Sequence, residues 1–159
     1  MNSLDTFPSH SVVPSLAPTS PETEVKTRVI AWCSSWSSIN GRFVTDHLRE
    51  IANNGPIRMV ADLGHHIAVG VSLDGYATYW SQILTEAFAE WFLLIDSPIE
   101  VSLCGNMANA SFHTRLQGIA HDQCRRSQRQ HTQHIFEKKG GTWRLVREQI
   151  TISPEGTCF

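Results

Sequence analysis

Helical and strand-forming patterns occupy different halves of this chain. Before residue 90, apolar residues recur at spacings of three and four, whereas the later sequence consists of β-rich runs over residues 91–96, 99–104, 107–119, 128–137 and 142–152. Compact turn signals join some of these runs, at Gly105-Asn106 and at Lys139-Gly140-Gly141. The order predicts consecutive antiparallel strands forming a bent sheet, with helices packed on one of its faces.

Three helices are predicted ahead of the main strands. The first begins at Thr19-Ser20-Pro21-Glu22, where a hydroxyl cap precedes a proline, and ends near Asn40-Gly41. The second is short and covers residues 43–51, and the third runs for about four turns from Asp74. Between them, residues 57–63 predict a short strand, and residues 64–71 predict either a loop or a second short strand.

Length and composition indicate one domain. A chain of 159 residues, 41% of them hydrophobic and five of them tryptophan, has enough large side chains for a single core. Residues 1–20 are rich in Ser, Pro and Thr without periodicity and predict a flexible tail. The predicted domain therefore covers residues 21–153, and residues 154–159 form a C-terminal tail.

Charge and cysteine usage exclude several classes of partner. The net charge is −2 and the basic residues are scattered, so nucleic acid is not an expected partner. The chain has no run of about 18 apolar residues, so no membrane span is expected. The four cysteines are far apart and include no CxxC pair, which is typical of reduced thiols and predicts a cytoplasmic protein.

Several motifs in this order resemble the nuclear transport factor 2-like superfamily, in particular its SnoaL-like and ketosteroid isomerase-like branch. The similarity spans residues 22–152, and its motifs are Trp32 with Asn40-Gly41, Gly75-Tyr76-Ala77-Thr78-Tyr79-Trp80, Cys104-Gly105-Asn106-Met107-Ala108 and Gly141-Thr142-Trp143-Arg144-Leu145-Val146-Arg147-Glu148-Gln149. The resemblance implies an α+β roll: a cone-shaped, curved antiparallel or mixed sheet wrapped by three helices from the N-terminal half, with a pocket at its open end. It also implies a homodimer formed through the sheet.

The resemblance also implies a catalytic residue. The general base of the isomerases, an Asp about seventeen residues before the aromatic pair of the third helix, corresponds to Asp62. The alternative is that Asp62 caps the turn before Gly64. The oxyanion donors of the isomerases are not kept, because the matching stretches contain Cys33-Ser34 and Thr132-Gln133, so His113, with Ser34 and Thr132, is the expected source of weaker hydrogen bonds.

The pocket is expected to be aromatic and to bind a small hydrophobic molecule without a cofactor. The side chains predicted to line it, of which only two or three need reach a cavity, are Trp32, Trp36, Tyr79, Trp80, Trp91, Thr132 and Trp143. Glu148 lies in an otherwise apolar strand, which predicts either a buried ion pair with an arginine or a cavity carboxylate. Which face of that strand points inward is left open by the sequence.

A possible metal motif comprises His121, Cys124, His131 and His134. Because His131 and His134 differ by an odd number of positions on a predicted strand, they should point to opposite faces, and no metal is expected. Three functional hypotheses follow: a lyase, isomerase or cyclase acting on a hydrophobic carbonyl or hydroxy compound, a non-catalytic dimeric binding or association module, and, with least support, a metal enzyme that uses the histidines.

Overall fold

The computed structural model describes residues 19–38, 42–64, 66–152 and 157–158. Within them the chain forms an α+β roll in which helices cover one face of a curved, mixed sheet. In chain order the elements are α1 (Pro21–Ser35), α2 (Leu48–Ile51), β1 (Arg58–Asp62), β2 (Ile67–Gly70), α3 (Leu73–Ala87), β3 (Phe88–Ile95), β4 (Glu100–Cys104), β5 (Met107–Ala120), β6 (Arg125–Lys139), β7 (Thr142–Ile152) and β8 (Thr157–Cys158). The predicted tails lie largely outside the described residues, although β8 falls within the C-terminal one.

The sheet is built around three long strands. Its order is β2-β1-β7-β6-β5-β3, with β4 also paired to β5 and β8 paired to β6. Two details differ from the expected run of consecutive antiparallel strands. β1 pairs with β7 in parallel, and β3 and β4 both pair with β5, since the 14-residue β5 is long enough to take two partners along one edge.

The predicted starts of the first and third helices are confirmed. Ser20 caps α1 by accepting a hydrogen bond from the backbone N of Thr23 at 3.2 Å, with Pro21 in the first turn. Ser72 caps α3 in the same way through the backbone N of Gly75. The second helix is shorter than predicted and forms a single turn. The end predicted for the first helix, at residues 40–41, lies outside the described residues.

The hairpin predicted between the last two long strands is confirmed. Gly140 and Gly141 have φ angles of 55° and 80°, the left-handed region that a two-residue turn of this kind requires and that glycine adopts at little cost. This turn fixes the register in which β6 and β7 pair, and with it the cross-strand neighbours on the inner face.

β7 changes the face that it presents to the core part-way along its length. Leu145 is fully buried, and the next buried residue is Glu148. Two consecutive residues of β6 lie opposite Leu145 and Arg147, so Val146 is an extra residue and forms a β-bulge. Strict alternation from Leu145 would have turned Arg147 inward and Glu148 outward. The bulge therefore brings a carboxylate into the interior, and it explains why the sequence alone left the face undecided.

Candidate functional site

A cavity of about 50 Å³, partly open to solvent, lies between the helices and the inner face of the sheet. On α3, Tyr76, Trp80 and Leu84 recur every four residues and so share one face of the helix. On β7, Glu148, Ile150 and Ile152 alternate onto the inner face after the bulge. The cavity is thus mainly apolar, and Glu148 places a carboxylate in its wall.

Three side-chain donors from three separate elements hold the Glu148 carboxylate. The indole N–H of Trp32 on α1 donates to Oε2 at 2.6 Å, and the hydroxyl of Tyr76 on α3 donates to Oε1 at 2.5 Å. His134 of β6 is the direct cross-strand neighbour of Glu148, and its Nε2 lies 2.8 Å from Oε2. These short distances are typical of hydrogen bonds to a charged acceptor, which are stronger than neutral ones.

His134 is enclosed by aromatic rings. Its side chain is 0% exposed, and Trp32, Phe112 and Phe136 meet the imidazole edge-on with ring centroids 5.0–6.2 Å away. Nδ1 is buried and has no hydrogen-bond partner among the described residues. An imidazolium would bury an unpaired N–H at that position, whereas a neutral ring protonated on Nε2 leaves only a lone pair there. The geometry therefore favours a carboxylate beside a neutral histidine.

Burial and the nearby carboxylate together keep two neighbouring groups in their protonated forms. Burial, followed by the charge of Glu148 and the hydrogen bond to it, raises the pKa of Tyr76 well above its ordinary value. Burial and then Glu148 likewise raise the pKa of the Cys33 thiol. Tyr76 is therefore a neutral phenol that donates to Glu148, and Cys33 is a neutral thiol rather than a nucleophile.

These two shifts predict a loss of stability at alkaline pH. Unfolded Cys33 and Tyr76 ionise near their ordinary values of 9.0 and 10.0, while the folded protein keeps both protons. The unfolded state then binds fewer protons, so the free energy of unfolding falls as pH rises, by about 1.4 kcal/mol per pH unit above about pH 9 and about twice that above about pH 10. Urea unfolding across this range checks the slope. Cys33→Ala should remove the first part of the fall, and a pH-independent wild type would contradict the prediction.

No family model matches this chain, and no curated protein matches its sequence. Solved structures do match. A nuclear transport factor 2-like superfamily protein from Salmonella enterica aligns with a TM-score of 0.70 at 13% identity over 84% of this chain and 92% of its own. A hexachlorocyclohexane dehydrochlorinase, LinA-type3, from Novosphingobium barchaimii aligns with 0.71 at 7% identity over 87% and 89%. The fold is that of the nuclear transport factor 2-like superfamily.

A third solved structure, which is described as having a cystatin-like fold, also matches this chain. This Caulobacter vibrioides protein with a cystatin-like fold aligns with a TM-score of 0.65 at 14% identity over 84% of this chain and 90% of its own. Identities this low establish the NTF2-like fold alone, so the similarity to the ketosteroid isomerase-like branch stays a prediction.

Asp62, the base implied by that branch, does not line the cavity of this NTF2-like fold. In β1, Met59 and Ala61 are fully buried, and alternation turns Asp62 to the outer face of the sheet, in register with the exposed Thr151. Its Oδ1 accepts a hydrogen bond from the backbone N of Gly64 at 2.9 Å. The carboxylate therefore caps the turn after β1, which was the alternative to a catalytic role.

His113 also lies outside the cavity. It is on the outer face of β5 opposite His131, with their ring centroids 5.2 Å apart. Burial first, and then the positive charge of Arg129, lower the pKa of His113, and the nearby Asp96 opposes that effect. As alternation predicts, His131 and His134 point to opposite faces, and no group of three metal-ligating side chains is found within the described residues.

Of the seven side chains expected in the pocket wall, Trp36 and Trp80 line the cavity, and Trp32 reaches Glu148. The other four lie elsewhere. The Trp91 indole N–H donates to the backbone O of Trp36, and the Trp143 indole N–H donates to Glu24. Thr132 is buried beside Thr114, and Tyr79 is 39% exposed.

The residues that do form the site were only partly predictable from the sequence. A carboxylate in an apolar strand predicts either an arginine partner or a cavity carboxylate at Glu148; the arginine partner is wrong, and Glu148 lines the cavity. Its partners are Trp32, Tyr76 and His134. The sequence predicts the first as a residue of the pocket wall, the second as part of a family motif and the third as part of a possible metal motif.

Proposed function

We propose that this protein is a small-molecule enzyme that transfers a proton on a mainly apolar substrate held in the cavity, with Glu148 as general base. The observation that carries the proposal is a carboxylate, only 3% exposed, that lines an apolar cavity while three donors hold it in place. Fixed orientation and exclusion of water are what a general base needs to act on a weakly acidic C–H group.

The hydrogen bonds show which carboxylate oxygen is available. Oε2 already accepts from Trp32 and His134, whereas Oε1 accepts only from Tyr76 among the described residues and keeps a free lone pair. In the proposed step, Oε1 takes the proton from a carbon next to a carbonyl group. The C–H electron pair moves toward the carbonyl oxygen as an enolate, and the Glu148 carboxylic acid then returns a proton to the same or another carbon.

This chemistry is common to isomerases, dehydratases and cyclases, the classes expected from the sequence. One structural neighbour is a hexachlorocyclohexane dehydrochlorinase, and hexachlorocyclohexane is likewise a small apolar molecule. For this chain we replace the sequence-based proposal of Asp62 as base by Glu148, because Asp62 is committed to the Gly64 turn on the other side of the sheet.

The proposal can be tested without knowing the natural substrate. Cyclopentanone in D₂O exchanges its α-protons for deuterium when a base forms the enolate, and proton NMR measures the rate. The folded protein should accelerate this exchange above the rate with buffer alone and with denatured protein. Equal rates in the three samples would overturn the proposal for carbonyl substrates.

The sequence-based expectation of a homodimer stays a prediction. Phe92 and Leu94 lie on the outer face of β3 and are 44% and 46% exposed, next to Arg115 of β5. Such a pair is compatible with contact between two sheets. Sedimentation equilibrium tests it, and a monomer at every concentration would contradict it.

None of the described helices is long and apolar enough to cross a membrane.

A further inference from the structure

Two tryptophans in the cavity wall have unpaired indole N–H groups. The Nε1 atoms of Trp36 and Trp80 are buried, and neither has a hydrogen-bond partner among the described residues. The remaining three tryptophans each donate to an acceptor, at 2.6 Å to Glu148, 2.7 Å to the backbone O of Trp36 and 3.1 Å to Glu24. Among the five tryptophans, the unpaired indole donors are thus those of the two that line the cavity.

An unpaired buried donor is unusual enough to need an explanation. Indole nitrogen can only donate, so it cannot be satisfied by another N–H group. The Trp80 indole lies near enough to the Tyr76 hydroxyl to oppose the rise in that pKa, but the contact does not have hydrogen-bond geometry. Both rings line the cavity, so a ligand bound there is the nearest source of the missing acceptor.

The two indoles flank the residue that positions the base. Tyr76 meets Trp36 edge-on at 5.6 Å and Trp80 edge-on at 6.2 Å between ring centroids, and its hydroxyl donates to Glu148. A ligand oxygen bound by either indole therefore lies about one side chain away from the carboxylate.

Resting on the proposed function, we infer that the indole N–H groups of Trp36 and Trp80 bind the oxygen of an uncharged carbonyl substrate. A carboxylate or phosphate ligand would be repelled by Glu148 in the same cavity, and an ammonium group cannot accept from an indole. A ketone, aldehyde or ester oxygen accepts both hydrogen bonds without a charge. As the enolate forms, negative charge develops on that oxygen, and the two donors then bind it more strongly.

The test uses the indole resonances of the whole protein labelled with ¹⁵N-tryptophan. Its five tryptophans give five indole signals, which Trp→Phe variants assign. Cyclopentanone is compared with methylenecyclopentane, which has the same shape but carries a CH₂ group in place of the oxygen. We expect the ketone to move the Trp36 and Trp80 indole protons downfield and the hydrocarbon to move them much less. Trp91 and Trp143, whose donors are already bonded, are internal controls and should not respond.

Affinity provides a second measurement. Trp36→Phe and Trp80→Phe should each raise the Kd for cyclopentanone about three- to tenfold more than the Kd for methylenecyclopentane, because both ligands lose contact with the larger ring but only the ketone loses a neutral hydrogen bond. The inference would be overturned if both indoles responded equally to the ketone and the hydrocarbon. It would also be overturned if neither indole responded to either ligand. Each of these outcomes is compatible with ordered water as the natural acceptor.

The two proposals fail in different ways. If cyclopentanone moves both indole signals but its α-protons are not exchanged, the carbonyl site stands and the catalytic proposal fails. If exchange is accelerated while the Trp36 and Trp80 signals do not respond, Glu148 acts as a base but the indoles do not hold the substrate oxygen. Measuring both in Glu148→Gln separates them further, because that variant should lose exchange and keep the indole response.

Discussion

Glu148→Gln should slow the exchange of cyclopentanone α-protons by about 10²- to 10⁴-fold, the usual contribution of a positioned general base. Glutamine has the same size and keeps a carbonyl oxygen that can accept from the surrounding donors, but its amide cannot take up a proton at neutral pH. Proton NMR in D₂O gives the rate, and circular dichroism shows whether the variant is folded.

The matched comparison is Asp62→Asn, which makes the same chemical change in the carboxylate predicted from the sequence. Because Asp62 lies on the outer face and bonds to the Gly64 backbone, its replacement should change the exchange rate by less than about twofold. A large loss of rate in Asp62→Asn together with normal exchange in Glu148→Gln would reverse the assignment of the base.

Glu148→Leu should destabilise the fold by about 3 kcal/mol or more. It leaves the Trp32 indole, the Tyr76 hydroxyl and the His134 ring buried without an acceptor, and each unsatisfied donor costs about 1–3 kcal/mol. Removal of a buried charge and gain of apolar surface offset part of this cost, which is why the net effect is smaller than the sum.

Urea unfolding measures this change as a shift in midpoint at constant slope. Gln149→Leu is the matched control, since it adds the same side chain at the neighbouring, half-buried position and should alter the free energy of unfolding by less than about 0.5 kcal/mol. A Glu148→Leu variant as stable as the wild type would mean that the three donors do not depend on the carboxylate.

The order of elements was predictable because it rests on local patterns. Ser20 and Pro21 mark a helix start by their own chemistry, and Gly140-Gly141 marks a hairpin. By contrast, the pairing of both β3 and β4 with β5 depends on how the whole sheet closes in three dimensions, and no local pattern in the sequence predicts it.

The candidate site was predictable only in part, because it depends on one irregular residue. Without the bulge at Val146, alternation would place Arg147 in the core, and nothing in the sequence of β7 marks Val146 as extra. The same alternation, applied to β1, shows that Asp62 faces outward once Met59 and Ala61 are known to be buried. Family spacing alone could not supply that fact.

Whether three donors converge on one buried carboxylate is tested most directly by the ¹H–¹⁵N spectrum of the Trp32 indole and the His134 ring. With donor–acceptor distances of 2.6 and 2.8 Å to Glu148, both N–H protons should resonate far downfield, exchange slowly with water and shift upfield in Glu148→Leu, and the His134 nitrogens should show a proton on Nε2. A Trp32 indole proton at an ordinary position, exchanging freely and unchanged by Glu148→Leu, would contradict the arrangement on which the proposed chemistry rests.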